Sequence, residues 1–235
     1  MKLIYEGKTK KVYDMDDKVL LKFKDVFTAF DGKKVEEVKG KGKVNAEFTE
    51  LLMKYLEQHG VKTHFLSRNE DEIVAIKTKP LPLEFIVRNY AYGSLLKRLP
   101  ILEKGQRLLT PVFEVHYKSD ELHDPLLAED DPVAAGIVSK DVMKTIRETT
   151  LKVNELLTEL FEKAGFKLID FKVEYGITED GRVVLIDELS PDSFRAHKGG
   201  EAYDKDLFRQ GASGEEVLKK YVELLEALRE ALGVE

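Results

Sequence analysis

The stretch that most constrains the fold is LIDFKVEYGITEDGRVVLIDELSPDSFR, residues 168–195. Side chains alternate across a strand, so Asp170, Lys172 and Glu174 share one face, and Phe171, Val173 and Tyr175 share the other. One face therefore belongs in a core while the other carries charge. Asp180-Gly181 is a dipeptide that favours a two-residue type I′ turn, which makes Arg182–Leu189 the returning strand. With those two residues as the loop, Glu179 pairs with Arg182 and Glu174 lies directly opposite Asp187. Two carboxylates facing each other across a ladder repel unless a cation sits between them. Their oxygens suit a hard ion such as Mg²⁺, with nucleotide phosphates filling the remaining positions. Lys172 adds a fixed positive charge beside that ion. An ordinary solvated hairpin carries the same pattern, and a longer loop shifts the register. The hairpin alone leaves both readings open.

The chain before it divides in two. Strands are predicted at Lys2–Glu6, Lys10–Asp14 and Lys18–Lys24, and the turn E-G-K-T-K between the first two holds a flexible Gly7. Lys8 and Lys10 there are either phosphate donors over a triphosphate or solvated turn lysines. The spacing of a P-loop is missing. Lys22 is either a strand lysine reaching phosphate or a snorkelling surface lysine. F-T-A-F-D-G reads as a turn in which Asp31 is a ligand contact or an Asx turn. An amphipathic helix is expected over Val44–His59 and strands over Val61–Leu66 and Glu72–Thr78. Pro80 and Pro82 mark a boundary at residues 79–83, giving lobes 1–80 and 81–235 with room for a flat ligand at the hinge.

In the second lobe a strand over Glu84–Asn89 leads to A-Y-G-S-L-L-K-R-L, where Ser94 is placed as the cap of a short helix. Arg88 and the free N–H groups of that helix make an anion site, or a capped surface helix with no ligand. Residues 100–135 are thin in regular pattern but hold the strand-like P-V-F-E-V-H-Y-K and then L-H-D-P, and Lys118, His123 and Asp124 are candidates on this long segment. Ser139 caps a helix running to Ala164. Asp192, Arg195, His197 and Lys198 follow the hairpin, a short helix lies around Asp204–Gln210, and Ser213-x-x-Glu216 is a capping box for the last helix.

Composition narrows the classes. A net charge of −6 on 235 residues argues against a general nucleic-acid binder, though not against a local basic pocket. The absence of cysteine excludes disulfides and thiolate chemistry, and no segment reaches membrane-span length. A cytoplasmic protein is expected. Abundant Lys and Glu with few Gln lean toward a thermophilic source.

Residues 82–94, P-L-E-F-I-V-R-N-Y-A-Y-G-S, and 168–176, L-I-D-F-K-V-E-Y-G, resemble the paired signatures of the phosphoribosylaminoimidazole-succinocarboxamide synthase (SAICAR synthetase) family. The resemblance runs in order from G-K-T-K through F-D-G and L-H-D-P to D-E-L-S-P-D-S-F-R and D-K-D-L-F-R-Q. Tyr175 and Phe30 are its small departures. It implies an α+β, two-lobed, ATP-grasp-like and kinase-like architecture, with antiparallel sheets, helices packed on them and ATP between the lobes. It further implies that Lys8 and Lys10 cover the phosphates; Lys22, from its place in the strand, is counted with them among the candidate nucleotide contacts. Glu174 and Asp187 hold Mg²⁺, Lys172 lies near the phosphates, and Lys77 to Leu81 meet adenine. Lys118 and Asp31, with Arg88, Ser94, Asp124, Asp192, Arg195 and Arg209, fall where the family handles carboxyaminoimidazole ribonucleotide and L-aspartate. Lys172, Asp124 and Arg195 are the expected catalytic set, with His123 or Asp124 as candidate base. A homodimer is implied, with no nucleic-acid or membrane partner. The rivals are a small-molecule kinase and a non-catalytic nucleotide-binding module; the H-R-D-x-x-x-x-N loop of protein kinases is missing.

Overall fold

A computed structural model describes residues 1–30 and 32–234. Strands β1 (Lys2–Glu6), β2 (Lys10–Met15), β3 (Lys18–Phe23), β4 (Val26–Ala29) and β5 (Lys34–Glu37) precede helix α1 (Lys41–Gln58). Next come β6 (Phe65–Asn69), β7 (Glu72–Ile76), β8 (Lys79–Pro80), β9 (Leu83–Tyr90), α2 (Leu95–Arg98), β10 (Arg107–Tyr117) and β11 (Leu126–Leu127). The chain continues through α3 (Asp131–Ala134), α4 (Lys140–Lys163), β12 (Lys167–Ile177), β13 (Val183–Ile186), β14 (Phe194–Lys198), β15 (Glu201–Ala202), α5 (Asp206–Arg209) and α6 (Gly214–Leu232).

One antiparallel sheet has the order β1-β2-β3-β7-β6; a larger one runs β11-β10-β9-β12-β14-β15, with β8 and β13 also paired to β12. Residues 62–64 stitch the two together, since the Leu185 N–H donates to the Lys62 carbonyl and the His64 N–H to the Leu185 carbonyl, both at 2.9 Å. A single apolar cluster joins Phe23 and Ile73 of the first sheet, Phe85 and Phe171 of the second, and Phe48, Phe161 and Leu225 of α1, α4 and α6. The helices are set by their own sequence signals. Ser139 caps α4 by accepting from the Val142 N–H, and the Ser213–Glu216 box closes the start of α6.

Four expectations are corrected. β12 and β13 pair Glu174 with Ile186 and Ile177 with Val183, one residue away from the register of a two-residue turn. The loop is the three residues Glu179–Gly181, with Gly181 at φ 83 the only one of them in the left-handed region. The Thr178 hydroxyl causes this: it accepts from the Arg182 N–H at 3.0 Å and donates to Asp180, adding a residue to the turn. Second, α1 begins at Lys41 despite the poor helix formers around it. Asp25 Oδ1 accepts from the Gly42 N–H at 2.8 Å, and a Cβ on Gly42 would stand 2.8 Å from the Phe23 carbonyl oxygen, so the helix start packs where only glycine fits. Third, the strand expected at P-V-F-E-V-H-Y-K is present but longer: β10 starts at Arg107, runs eleven residues and pairs along β9. Fourth, the turn of F-T-A-F-D-G begins only at Phe30, where the Lys33 N–H donates to the Phe30 carbonyl; Phe27–Ala29 belong to β4, paired to β5, and Asp31 lies outside the described residues.

Candidate functional site

β9 and β12 are antiparallel neighbours with Asp170 opposite Arg88 and Lys172 opposite Ile86. Continuing that register places Glu174 across from Glu84, so the facing acids are on β9 and β12. Both are buried. Lys172 Nζ lies 2.7 Å from Glu84 Oε1 and 3.2 Å from Glu174 Oε1, and Lys118 Nζ lies 2.6 Å from Glu174 Oε2. Like-charged carboxylates are tolerated here because the Lys172 ammonium bridges them and Lys118 pairs with Glu174 as well.

Asp187 joins this cluster by a different route from the hairpin ladder. β13 ends at Ile186, and Asp187 at φ 72 turns the chain out of the strand. Its Oδ1 then sits 2.5 Å from Lys10 Nζ, whose other partner is Glu188 Oε1 at 2.8 Å. Burial pushes the Asp187 carboxyl up, but Lys10, Lys172 and Lys118 outweigh it and hold the group well below the carboxylate range. Burial likewise pulls the Lys172 ammonium down, while Glu174, Glu84 and Asp187 more than offset this and keep it charged. Glu84 is the exception: burial raises its carboxyl despite Lys172, and Glu174 and Asp124 push the same way.

Oxygen donors alone suit a hard cation, and Glu174 with Asp187 would leave most of an octahedral shell to phosphate and water. Among the described residues no group of three or more His, Asp or Glu side chains is arranged to hold a metal without such help. As all-oxygen donors, Glu174 and Asp187 are of the chemistry that a hard ion such as Mg²⁺ takes.

Beside this cluster, sharing Lys172, is a cavity of about 270 Å³ lined by Arg88, Gly93, Ser94, Asp170, Asp192, Arg195, Lys205 and Arg209. Its guanidiniums are held from behind. Arg88 is bidentate to Glu114 at 2.8 and 3.1 Å, and its Nη2 also donates to Ser94 Oγ at 3.0 Å. Ser94 is thus a partner of Arg88; it makes no cap to α2, contrary to expectation. Asp192 is an interior anchor, ion-paired to the buried Lys41 and accepting from Asn45 Nδ2 and the Tyr221 hydroxyl at 2.9 Å each.

The expected residues divide accordingly. Lys10, Lys118, Lys172, Glu174 and Asp187 come together, and Arg88, Ser94, Asp192, Arg195 and Arg209 line the adjoining cavity. Lys22 does not join them. Its Nζ pairs with Glu72 at 2.8 Å across the neighbouring strand, on the face of the sheet opposite Lys10. Lys77 pairs with Asp14 at 2.7 Å on the surface, and Lys8 reaches Asp120 at 3.3 Å across from the loop after β10. The Leu81 N–H is taken by the Tyr175 carbonyl at 2.9 Å. Asp124 Oδ1 accepts from the Ser119 N–H at 2.8 Å and staples its own loop, which sets it apart from the cavity lining. Sequence reasoning missed Glu84, Glu114, Lys41 and Lys205. Alternation in L-E-F-I-V-R puts Glu84 on the face of Arg88 and was a usable signal; Lys41 gave none.

His64 lies beneath the site, its Nε2 3.2 Å from the Asp187 carbonyl oxygen. Burial, only partly opposed by Asp187, pulls its imidazole down to about 4. Between that value and the ordinary 6.5 the unfolded chain binds more protons than the folded one. Stability fully present above about pH 6.5 is therefore lost as pH falls toward 4, by about 3 kcal/mol. His64→Gln, which keeps a donor for the carbonyl, is expected to shrink the drop in urea midpoint between pH 7 and pH 4.5; an unchanged drop would contradict the assignment.

The SAICAR synthetase family profile matches residues 3–226 of the chain. A phosphoribosylaminoimidazole-succinocarboxamide synthase of Caldivirga maquilingensis is 44% identical over 225 residues, covering 95% of this chain and 93% of that protein. A solved SAICAR synthetase in complex with ADP superposes with a TM-score of 0.91 at 42% identity, covering 96% of this chain and 97% of that one. The SAICAR synthetase of Pyrococcus horikoshii gives 0.88 at 41% identity, covering 94% and 97%.

Proposed function

We infer, from the premise that this chain belongs to the SAICAR synthetase family, that its two adjoining charge clusters carry one ATP-dependent ligation. L-aspartate is condensed with 5-amino-1-(5-phospho-D-ribosyl)imidazole-4-carboxylate to give SAICAR, ADP and phosphate, a step of purine biosynthesis. The observation that carries this reading is Lys172, whose side chain belongs both to the lysine–carboxylate cluster and to the lining of the arginine-rich cavity. A phosphate donor on one side and a carboxylate acceptor on the other would meet there.

A carboxylate is a poor electrophile. Transfer of the ATP γ-phosphoryl group to the imidazole carboxylate gives an acyl phosphate and ADP; attack by the aspartate amine then forms the amide and expels phosphate. Phosphoryl transfer requires alignment and neutralisation of charge more than covalent help. Lys10, Lys118 and Lys172 supply fixed cations for that purpose. Glu174 and Asp187 would hold Mg²⁺, which when bound neutralises and orients the phosphate oxygens. Arg88, Arg195, Arg209 and Lys205 suit the phosphate and carboxylates of the two acceptors, since a guanidinium binds such groups in bidentate fashion. Residues 1–80 and 81–235 are taken as the two lobes. The reading includes a homodimer in the cytoplasm; no helix among the described residues is long and apolar enough to cross a membrane.

The decisive experiment measures ADP production with each of ATP, ribonucleotide and aspartate omitted in turn, followed by the product's mass. Loss of the amide product in every omission is expected. ADP release without aspartate, accompanied by a stable phosphorylated product, would replace the ligase with a small-molecule kinase.

A further inference from the structure

Asp170 heads the charged face of β12, and its ion-pair partners are arginines. Its Oδ2 accepts from Arg88 Nη1 at 2.9 Å and from Arg195 Nη1 at 2.7 Å, so one carboxylate oxygen joins two guanidiniums. Glu114 holds Arg88 from the far side, and Asp206 Oδ2 accepts from Arg195 Nε at 2.7 Å. Asp206 in turn binds Arg209, and Glu114 binds Arg98. Charges thus alternate from Arg98 through Glu114, Arg88, Asp170, Arg195 and Asp206 to Arg209. Two guanidiniums this close repel unless an anion lies between them. Gly93, at φ 60, covers the junction: a Cβ there would stand 3.2 Å from Arg88 Nη1 and 3.3 Å from Arg195 Nη1.

Donor accounting shows what the junction leaves over. Among the described residues the Nε and Nη1 atoms of Arg195 make hydrogen bonds within the protein, and its Nη2 makes none. Arg88, by contrast, donates through all three of its nitrogens. Arg195 therefore has an N–H pair to offer the cavity, and its plane is fixed by Asp170 on one edge and Asp206 on the other.

We propose that Asp170 is a positioning residue, which orients Arg195 against Arg88, four of whose five N–H donors are taken, so that the Arg195 Nη2 donors meet a phosphate or carboxylate of the acceptor substrates. This rests on the cavity being the acceptor site. A structural ion pair would affect only stability, because truncating one partner of a buried pair is destabilising wherever it sits. A positioning role instead weakens one anionic substrate selectively.

The test is Asp170→Asn, with KM measured separately for ribonucleotide, aspartate and ATP, and with ribonucleotide binding measured by calorimetry without ATP. The KM of one anionic acceptor is expected to rise by about tenfold or more, with kcat within about threefold and the KM for ATP unchanged. Unchanged acceptor KM values, or a parallel loss in every parameter, would overturn the proposal. Should Asp170→Asn not fold, Gly93→Ala carries the test: its methyl presses on both guanidiniums, and the same selective KM rise supports the role while its absence refutes it. If wild-type turnover needed no aspartate or ribonucleotide, the functional reading would fail, whereas unaffected KM values in a variant of a correctly dependent enzyme would remove the positioning role alone.

Discussion

Asp187→Asn is expected to lower kcat by about a thousandfold, roughly 4 kcal/mol of transition-state stabilisation, while the thermal midpoint moves by only a few degrees. The substitution is nearly isosteric, and asparagine tolerates the left-handed backbone that Asp187 adopts at φ 72. Lys10 keeps Glu188 as its partner. The cluster around it holds Lys10, Lys118 and Lys172 against Glu84, Glu174, Asp187 and Glu188, so removing one carboxylate leaves no lysine without an anion. What disappears is the charge that would hold a divalent ion against nucleotide phosphate. Turnover near the wild-type level at saturating Mg²⁺ would refute the metal assignment, and circular dichroism melting checks that the fold is intact.

Lys172→Met is expected to reduce kcat by at least about a hundredfold and, unlike Asp187→Asn, to destabilise the protein. Methionine matches the length of lysine and fills the same space. It leaves Glu84 facing Glu174 across β9 and β12 with no cation of its own, since Lys118 pairs with Glu174. Glu84 already has its carboxyl raised by burial, so it is the acid that takes up a proton once Lys172 is gone. The loss of stability should therefore be larger at pH 8 than at pH 5. Adding Glu84→Gln to Lys172→Met is expected to restore the thermal midpoint without restoring turnover. If the double variant recovers activity as well, Lys172 serves only to keep the acids apart; if the midpoint of the single variant is unchanged at both pH values, the facing-acid account is wrong.

The two substitutions also separate what was legible from what was not. The face carrying Lys172 and Glu174 followed from strand alternation, because the side-chain period of two depends on nothing beyond the strand itself. Asp187 was assigned to the same site for a reason that does not hold. Its predicted place opposite Glu174 required a two-residue turn, and the Thr178 hydroxyl lengthened that turn by one residue. A slip of one residue exchanges the faces of a strand. Asp187 reaches the cluster only because it leaves the strand in a left-handed conformation. The anion that does face Glu174 is Glu84, from a strand more than eighty residues earlier.

Taken alone, the sequence determined the helix stripes, the caps at Ser139 and Ser213, the charged face of β12 and the family signatures that point to ligation. Each of these depends on contacts within a few residues, or on ordered strings that survive as strings. Only the tertiary structure decided which charges meet. Lys41 is drawn inside to Asp192, Glu114 holds Arg88, and Asp170 joins Arg88 to Arg195. The physical reason is that a buried charge is stable only with its opposite beside it, and in this fold the opposite is supplied by strand register and by helices far away in the chain.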